Sequence, residues 1–199
     1  MATEGKLICD FTGGAVAHRS RFGGGLGQAL PKAVGMKGGK SLLVVDATAG
    51  LGRDAFLLAS LGAEVILIER SPVIHGLLDE GLARAREAGG DVAAVINHMT
   101  LLHGDARDLL PTLSPDVVLV DPMHPPRKKT ALVKNEMRLI REIVGTDEDS
   151  IELMNVALAT AHKRVVLKWP KQADPMEGLR RASHQIVGKS TRYDVFMVS

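Results

Sequence analysis

Three places in the chain bring together residue types that could do chemistry. The first is Asp46-Ala47-Thr48-Ala49-Gly50-Leu51-Gly52-Arg53-Asp54-Ala55, a carboxylate followed by a glycine-rich turn. Glycine at 50 and 52 lets a ligand approach the backbone closely, and a helix starting after them presents amides without intrahelical partners. The second is Asp121-Pro122-Met123-His124-Pro125-Pro126, where the apolar run Val117 to Val120 ends on an acid and three prolines. The third is a set of acids just beyond two other short apolar runs: Glu69, followed by Arg70, and Asp105, followed by Ala106.

Two ligands suit the glycine turn. Gly50-x-Gly52-x-x-Ala55 matches a dinucleotide fingerprint, with Glu69 as the acid for a ribose. Alternatively, Asp46-x-Thr48-x-Gly50-x-Gly52 resembles the loop of S-adenosylmethionine-dependent methyltransferases, which also end their second strand in a ribose-binding acid. Three features favour the methyl donor. Asp46 would repel a pyrophosphate but could face the cationic end of S-adenosylmethionine. The chain is short for two mononucleotide-binding halves plus a substrate domain. An acid follows the third strand, where methyltransferases contact the adenine amine, although Asp105 alone reads equally as the cap of a helix from Ala106 to Leu110.

Asp121-Pro122-Met123-His124 resembles the Asp/Asn-Pro-Pro-aromatic motif of methyltransferases that modify exocyclic amines of bases. The lone pair of such an amine is delocalised into the ring, so the nitrogen is a poor nucleophile. A carboxylate and the Pro122 carbonyl can accept its two hydrogens and aim its lone pair at a methyl group. Proline fixes the backbone for this and keeps it out of a helix. The plainer alternative is a turn that ends a strand. His124 could stack on an extruded base, relay a proton, or be a partly exposed turn residue.

The elements that must position these groups alternate from residue 41 onward. Strands are expected at residues 41–45, 64–68, 99–102, 117–120 and 164–168. Helices are expected at residues 53–61, from Ser71-Pro72 onward, at 133–144 and at 151–162. Two last strands, residues 185–187 and 194–198, are joined by so short a link that they must be antiparallel. The pattern predicts an α/β protein with an open, mostly parallel seven-stranded sheet, helices on both faces and a C-terminal antiparallel hairpin. Ligands of such sheets bind beyond the carboxyl ends of the strands. Trp169, beside Pro170, reads as a packed or half-exposed indole.

Composition narrows the class. A chain of 199 residues with 45% apolar content is most simply one domain, and no stretch approaches the ~20 apolar residues of a membrane span. The N-terminus has no signal-peptide pattern, and a single cysteine, Cys9, excludes an internal disulfide or a zinc cluster; a cytoplasmic protein is expected. Net charge is only +2, but it is unevenly spread. Arg19, Arg21, Lys32, Lys37 and Lys40 fall in one acid-free stretch, and Arg127, Lys128, Lys129, Lys134, Arg138 and Arg141 in another with Glu136 alone. Two such stretches suit a polyanion on one face. Aromatic content of 3% argues against an extended base-stacking platform.

Taken together, the chain resembles the bacterial guanine-N2 methyltransferases of 16S ribosomal RNA, of the short single-domain type. The resemblance rests on Gly13-Gly14-Ala15-Val16-Ala17-His18-Arg19, Phe22-Gly23-Gly24-Gly25, residues 45–56, Glu69-Arg70, Asp121-Pro122-Met123, Ala131-Leu132-Val133-Lys134, Glu136-Met137-Arg138 and Lys163-Arg164-Val165-Val166. It implies a class I, Rossmann-like methyltransferase domain at residues 41–199, with residues 1–40 a basic, glycine-rich extension packed on it. Arg53, Asp54, Glu69, Arg70, Asp105, Ala106 and Asp121 fall where the family holds S-adenosylmethionine, and S-adenosylhomocysteine would be the product. Asp121, Pro122 and His124 would meet the guanine. His18, Arg19, Arg21, Arg127, Lys128, Lys129 and Lys134 would meet phosphates of 16S rRNA or the small ribosomal subunit, and no metal is called for. The chain departs from the family at His124, where an aromatic is usual, and at Asp105-Ala106, where small hydroxyl residues are common. It also has no counterpart of a further N-terminal segment. Other readings are a class I methyltransferase of another RNA or a small molecule, a nicotinamide-dependent oxidoreductase, and a non-catalytic RNA-binding module.

Overall fold

A computed structural model describes residues 7–13, 25–122 and 149–198. Seven strands form one sheet: β1 (Leu43–Asp46), β2 (Glu64–Glu69), β3 (Met99–His103), β4 (Val117–Val120), β5 (Arg164–Pro170), β6 (His184–Val187) and β7 (Thr191–Met197). Their order is β3-β2-β1-β4-β5-β7-β6. The strands β1 to β5 run parallel, and β7 is antiparallel to both β5 and β6. Chain order therefore reverses between β1 and β4, which opens a crevice beyond their carboxyl ends.

The central strands are buried on both faces, and alternation along them sorts residues into two cores. Val44, Val117, Leu119 and Val166 face one side with α2 (Arg53–Ser60) and α3 (Pro72–Ala88). Phe11 and the short α1 (Ala29–Val34) join the same cluster, so parts of the first forty residues contribute to the core. Val45, Val118, Val120, Val165 and Leu167 face the other side, against α6 (Ser150–Thr160) and the end of the short α5 (Ala106–Leu109). A further short helix, α4 (Gly90–Ile96), follows α3.

Local sequence explains the element ends. Ser71 caps α3 by accepting from the Ile74 amide at 3.4 Å, and Pro72 occupies the first turn, where its missing N–H costs nothing. The strands run longer than their apolar cores suggest: β5 extends through Trp169 and Pro170, and β7 begins at Thr191. The buried Arg192 and Asp194 pair on β7 explains the second case, because polar residues there look like turn in sequence. Trp169 is packed, with its Nε1 donating to the Asp174 carbonyl at 2.7 Å. The helix expected at residues 133–144 lies outside the described residues.

Candidate functional site

A cavity of about 310 Å³ opens above the carboxyl ends of the central strands, at the switch between β1 and β4. Asp46, Thr48, Gly50, Arg53 and Asp54 line its floor from the glycine turn. Glu69 and Arg70 enter from the end of β2, Asp105 and Ala106 from the turn after β3, and Asp121 from the end of β4. The structure thus brings together most of the described residues that the sequence singles out.

Two of them, Gly52 and Pro122, do not line the cavity. Gly50, at φ 54°, has open space where a side chain would start, apart from the Thr48 carbonyl at 3.9 Å. Gly52, at φ 69°, points the other way: an added Cβ would lie 2.9 Å from Leu78 and 3.2 Å from Phe11. Gly52 therefore serves the turn and the core beneath it, whereas Gly50 serves the cavity. Pro122 is buried directly behind Asp121. His18, Arg19, Arg21, His124, Arg127, Lys128, Lys129 and Lys134 all lie outside the described residues.

Hydrogen bonds tie the floor together. Glu69 accepts from the Gly50 amide at 2.9 Å and from the Ser71 amide at 2.8 Å, so β2 fixes the glycine turn from its side. Asp46 accepts from the Thr48 amide at 3.2 Å, and the Thr48 hydroxyl accepts from the Asp121 amide at 2.7 Å. That second bond locks the ends of β1 and β4 to each other. Sequence reading assigned Thr48 to the ligand; the structure places it in the cavity lining, with its hydroxyl holding the backbone of Asp121.

A lysine completes this side. Val120 pairs with Leu167 across β4 and β5, so the next residues, Asp121 and Lys168, emerge together. The Lys168 ammonium lies 2.7 Å from a carboxylate oxygen of Asp121 and 2.7 Å from one of Asp54. Burial alone would depress Lys168, but the two acids outweigh it and hold the ammonium above its usual range. Asp46, only 3% exposed, is pushed up to about 7, first by burial and then by the charge of Asp54. Lys168 escaped sequence reading because a lysine at the end of an apolar run looks like a solvated strand end. The level of Asp121 on the neighbouring strand was the missing signal.

The opposite side is built differently. Asp105 accepts from the Arg107 amide at 2.9 Å, which caps α5, and also pairs with the Arg107 guanidinium at 2.8 Å. The Arg107 side chain holds the Asp105 carboxyl below the usual range. Arg107 also reaches Asp149, at 3.1 Å, and Glu152 on α6, while Arg70 reaches Asp149 at 2.8 Å. Arg107 and Asp149 line the cavity too, and no local motif announced them.

The lining suits one ligand chemistry over the other. The buried Asp46 and the half-buried Asp54 disfavour a pyrophosphate, whereas a cation would offset the burial of Asp46. Glu69 is oriented by two amides, and a carboxylate oxygen can accept more than one hydrogen bond, which suits a ribose diol. The residues present therefore fit S-adenosylmethionine. Among the described residues no group of three histidines, cysteines or acids is placed to hold a metal, and no helix is long and apolar enough to cross a membrane.

Comparison with known proteins agrees. Residues 1–198 match the family described as "Putative SAM-dependent methyltransferase". The chain is 66% identical, over 97% of its length and 93% of the relative's, to the ribosomal RNA small subunit methyltransferase J of Agrobacterium fabrum. It is 67% identical to the protein of that name from Brucella anthropi, over 96% of this chain and 94% of that one. A crystal structure of a SAM-dependent methyltransferase from Neisseria gonorrhoeae superposes with a TM-score of 0.77 at 35% identity, over 99% of this chain and 77% of that one. A cavity at the β1/β4 switch with acids suited to a sulfonium, a seven-stranded sheet closed by a hairpin, and a match along nearly the whole length lead to one conclusion: the chain belongs to the S-adenosylmethionine-dependent methyltransferase family.

Proposed function

We propose that the protein transfers a methyl group from S-adenosylmethionine to the exocyclic N2 amine of a guanine in small-subunit ribosomal RNA, in the cytoplasm. The observation that carries this reading is the position of Asp121. It stands at the end of β4, beside the cavity floor, with its amide held by Thr48 of the glycine turn. High identity to proteins named small-subunit rRNA methyltransferase J supports the RNA as substrate. Residues 41–199 would form the catalytic domain and residues 1–40 a basic extension of it.

Glu69 is the residue we assign to the ribose hydroxyls, Asp105 and Ala106 to the adenine side, and Asp46 to the cationic part, with Arg53, Asp54 and Arg70 completing the wall. When bound, S-adenosylmethionine supplies a methyl group on a positively charged sulfur, whose charge is lost on transfer. Asp121 accepts one hydrogen of the guanine amine and the Pro122 carbonyl the other, which turns the nitrogen lone pair toward the methyl. After the N–C bond forms, the nitrogen carries one proton too many, and Asp121 takes it up. The guanine must leave its stack first, as bases in structured RNA do for such enzymes. The basic residues at 18–21 and 127–134 would draw the phosphates, with binding that weakens as salt rises.

The test is incubation with methyl-labelled S-adenosylmethionine and small subunits, or naked 16S rRNA, that lack the modification. Digestion to nucleosides followed by mass spectrometry should place the label on N2-methylguanosine. Label on any other nucleoside, or none, would overturn the reading.

A further inference from the structure

Lys168 has no part in the reaction as written above, yet it sits against the residue that the reaction most needs. Its Nζ bridges Asp121, at the end of β4, to Asp54, in the first turn of α2, at 2.7 Å to each. We propose that Lys168 is a positioning residue for methyl transfer: it clamps the Asp121 carboxylate to the start of α2, so that the amine-holding group and the cofactor floor move as one body. This inference rests on the reading of Asp121 given above.

The geometry gives Asp121 two independent restraints. Its amide is held from β1 by Thr48, and its carboxylate is held from β5 by Lys168. The lysine thus adds a side-chain restraint to the backbone one. Transfer to a weak nucleophile needs the nitrogen aimed within narrow limits, and a shift of about 1 Å in such a group can lower the rate roughly 100-fold. The fold alone does not demand a lysine. An apolar side chain of similar length on a buried strand commonly stabilises as well as an ion pair does.

The charges around the clamp are Asp46 on β1, Asp54 on α2, Asp121 after β4 and the Tyr193 phenol on β7, directly across from Lys168. Three acids share one ammonium. Removing the ammonium would take away the group that bridges the Asp54 and Asp121 carboxylates and leave their mutual repulsion uncompensated by it. Cofactor binding is less exposed to this loss, since the cavity becomes more negative and the ligand carries a sulfonium.

A double-mutant cycle tests the clamp. The variants are Lys168→Met, Asp121→Asn and the pair together, each checked by circular dichroism and thermal melting. The readouts are kcat for methyl transfer to small-subunit RNA and the calorimetric Kd for S-adenosylmethionine. The amide oxygen of Asn still accepts a hydrogen from the substrate amine but does not form an ion pair with an ammonium.

Lys168→Met should lower kcat about 10- to 100-fold while leaving Kd within roughly threefold. It should cost almost nothing more in the Asp121→Asn background, because coupled residues do not add. Lys168→Arg should recover part of kcat, though its planar fork fits two separate acids less well. Additive losses, unchanged kcat in Lys168→Met, or a loss that lies wholly in Kd would overturn the proposal. If Lys168→Met does not fold, the same cycle is run with Lys168→Arg, and additivity there overturns it equally. Lack of transfer by the wild-type enzyme would instead overturn the functional reading, and with it the clamp.

Discussion

The two sides of the cavity carry their charges in opposite ways. At the ends of β1, β4 and β5, three acids share one lysine, and Asp46 is driven up to about 7 by burial and by Asp54. Across the cavity, Arg70 and Arg107 meet Asp105, Asp149 and Glu152 in a nearly balanced set, and the Glu152 side chain is 64% exposed. Water screens the second set, so its pairs tether α6 to the turn after β3 with little consequence for any one charge. In the first set the Asp121 side chain is 41% exposed, but Asp46 is buried and has no such relief. Buried imbalance raises the free energy of the ligand-free protein in a way that a cationic ligand reverses, which is the behaviour expected of a binding and reacting centre.

The sharpest way to break this contrast is Asp121→Ala. Methyl incorporation into RNA at saturating cofactor should fall by about 100- to 1,000-fold, while the far-ultraviolet spectrum changes little. Asp46→Asn should come next, and it is read by pH. The folded-state value of about 7 lies above the ordinary 3.8, so the folded protein binds more protons than the unfolded chain between those values. Stability contributed by Asp46 is therefore present at low pH, is lost as pH rises toward 7, and stays lost above it. Asp46→Asn should raise the melting temperature of the ligand-free protein by roughly 3–8 °C at about pH 8 and much less at about pH 5.

The same residue predicts a proton signal. Titration of S-adenosylmethionine near neutral pH, in buffers of different ionisation enthalpy, should show release of part of a proton by the wild type and none by Asp46→Asn. A smaller effect is expected for Thr48→Val, which removes the acceptor of the Asp121 amide. It should cost about 1–3 kcal/mol in denaturant unfolding, and kcat should fall about tenfold. The weakest is Glu152→Gln on the balanced side. Its melting temperature should stay within about 1 °C of wild type and its cofactor affinity within about twofold. A large loss there would erase the distinction between the two sides.

Much of the fold was legible because buried parallel strands read as apolar runs. Val117–Val120 coincides with β4, and β1 and β2 differ from expectation only at their ends. Elements without such a run were missed. The α1 helix holds Pro31 within its first turn, and α4 opens at Gly89-Gly90, so both look like loop. Asp46, Glu69, Asp105 and Asp121 could be found because each ends or closely follows a strand. Lys168, Arg107 and Asp149 could not, since their meaning lies in strand register and in pairs far apart in sequence. The opposite orientations of Gly50 and Gly52 were hidden for the same reason: only packing tells which glycine faces the cavity and which the core.

Asp121-Pro122 and Asp149 are the described posts on either side of residues 123–148. Both posts are fixed on the rim of the cavity, one by Thr48 through Asp121, the other by Arg70 and Arg107. Each post is held by bonds from residues elsewhere in the fold, so a substitution within residues 123–148 should leave these hydrogen bonds of the floor in place.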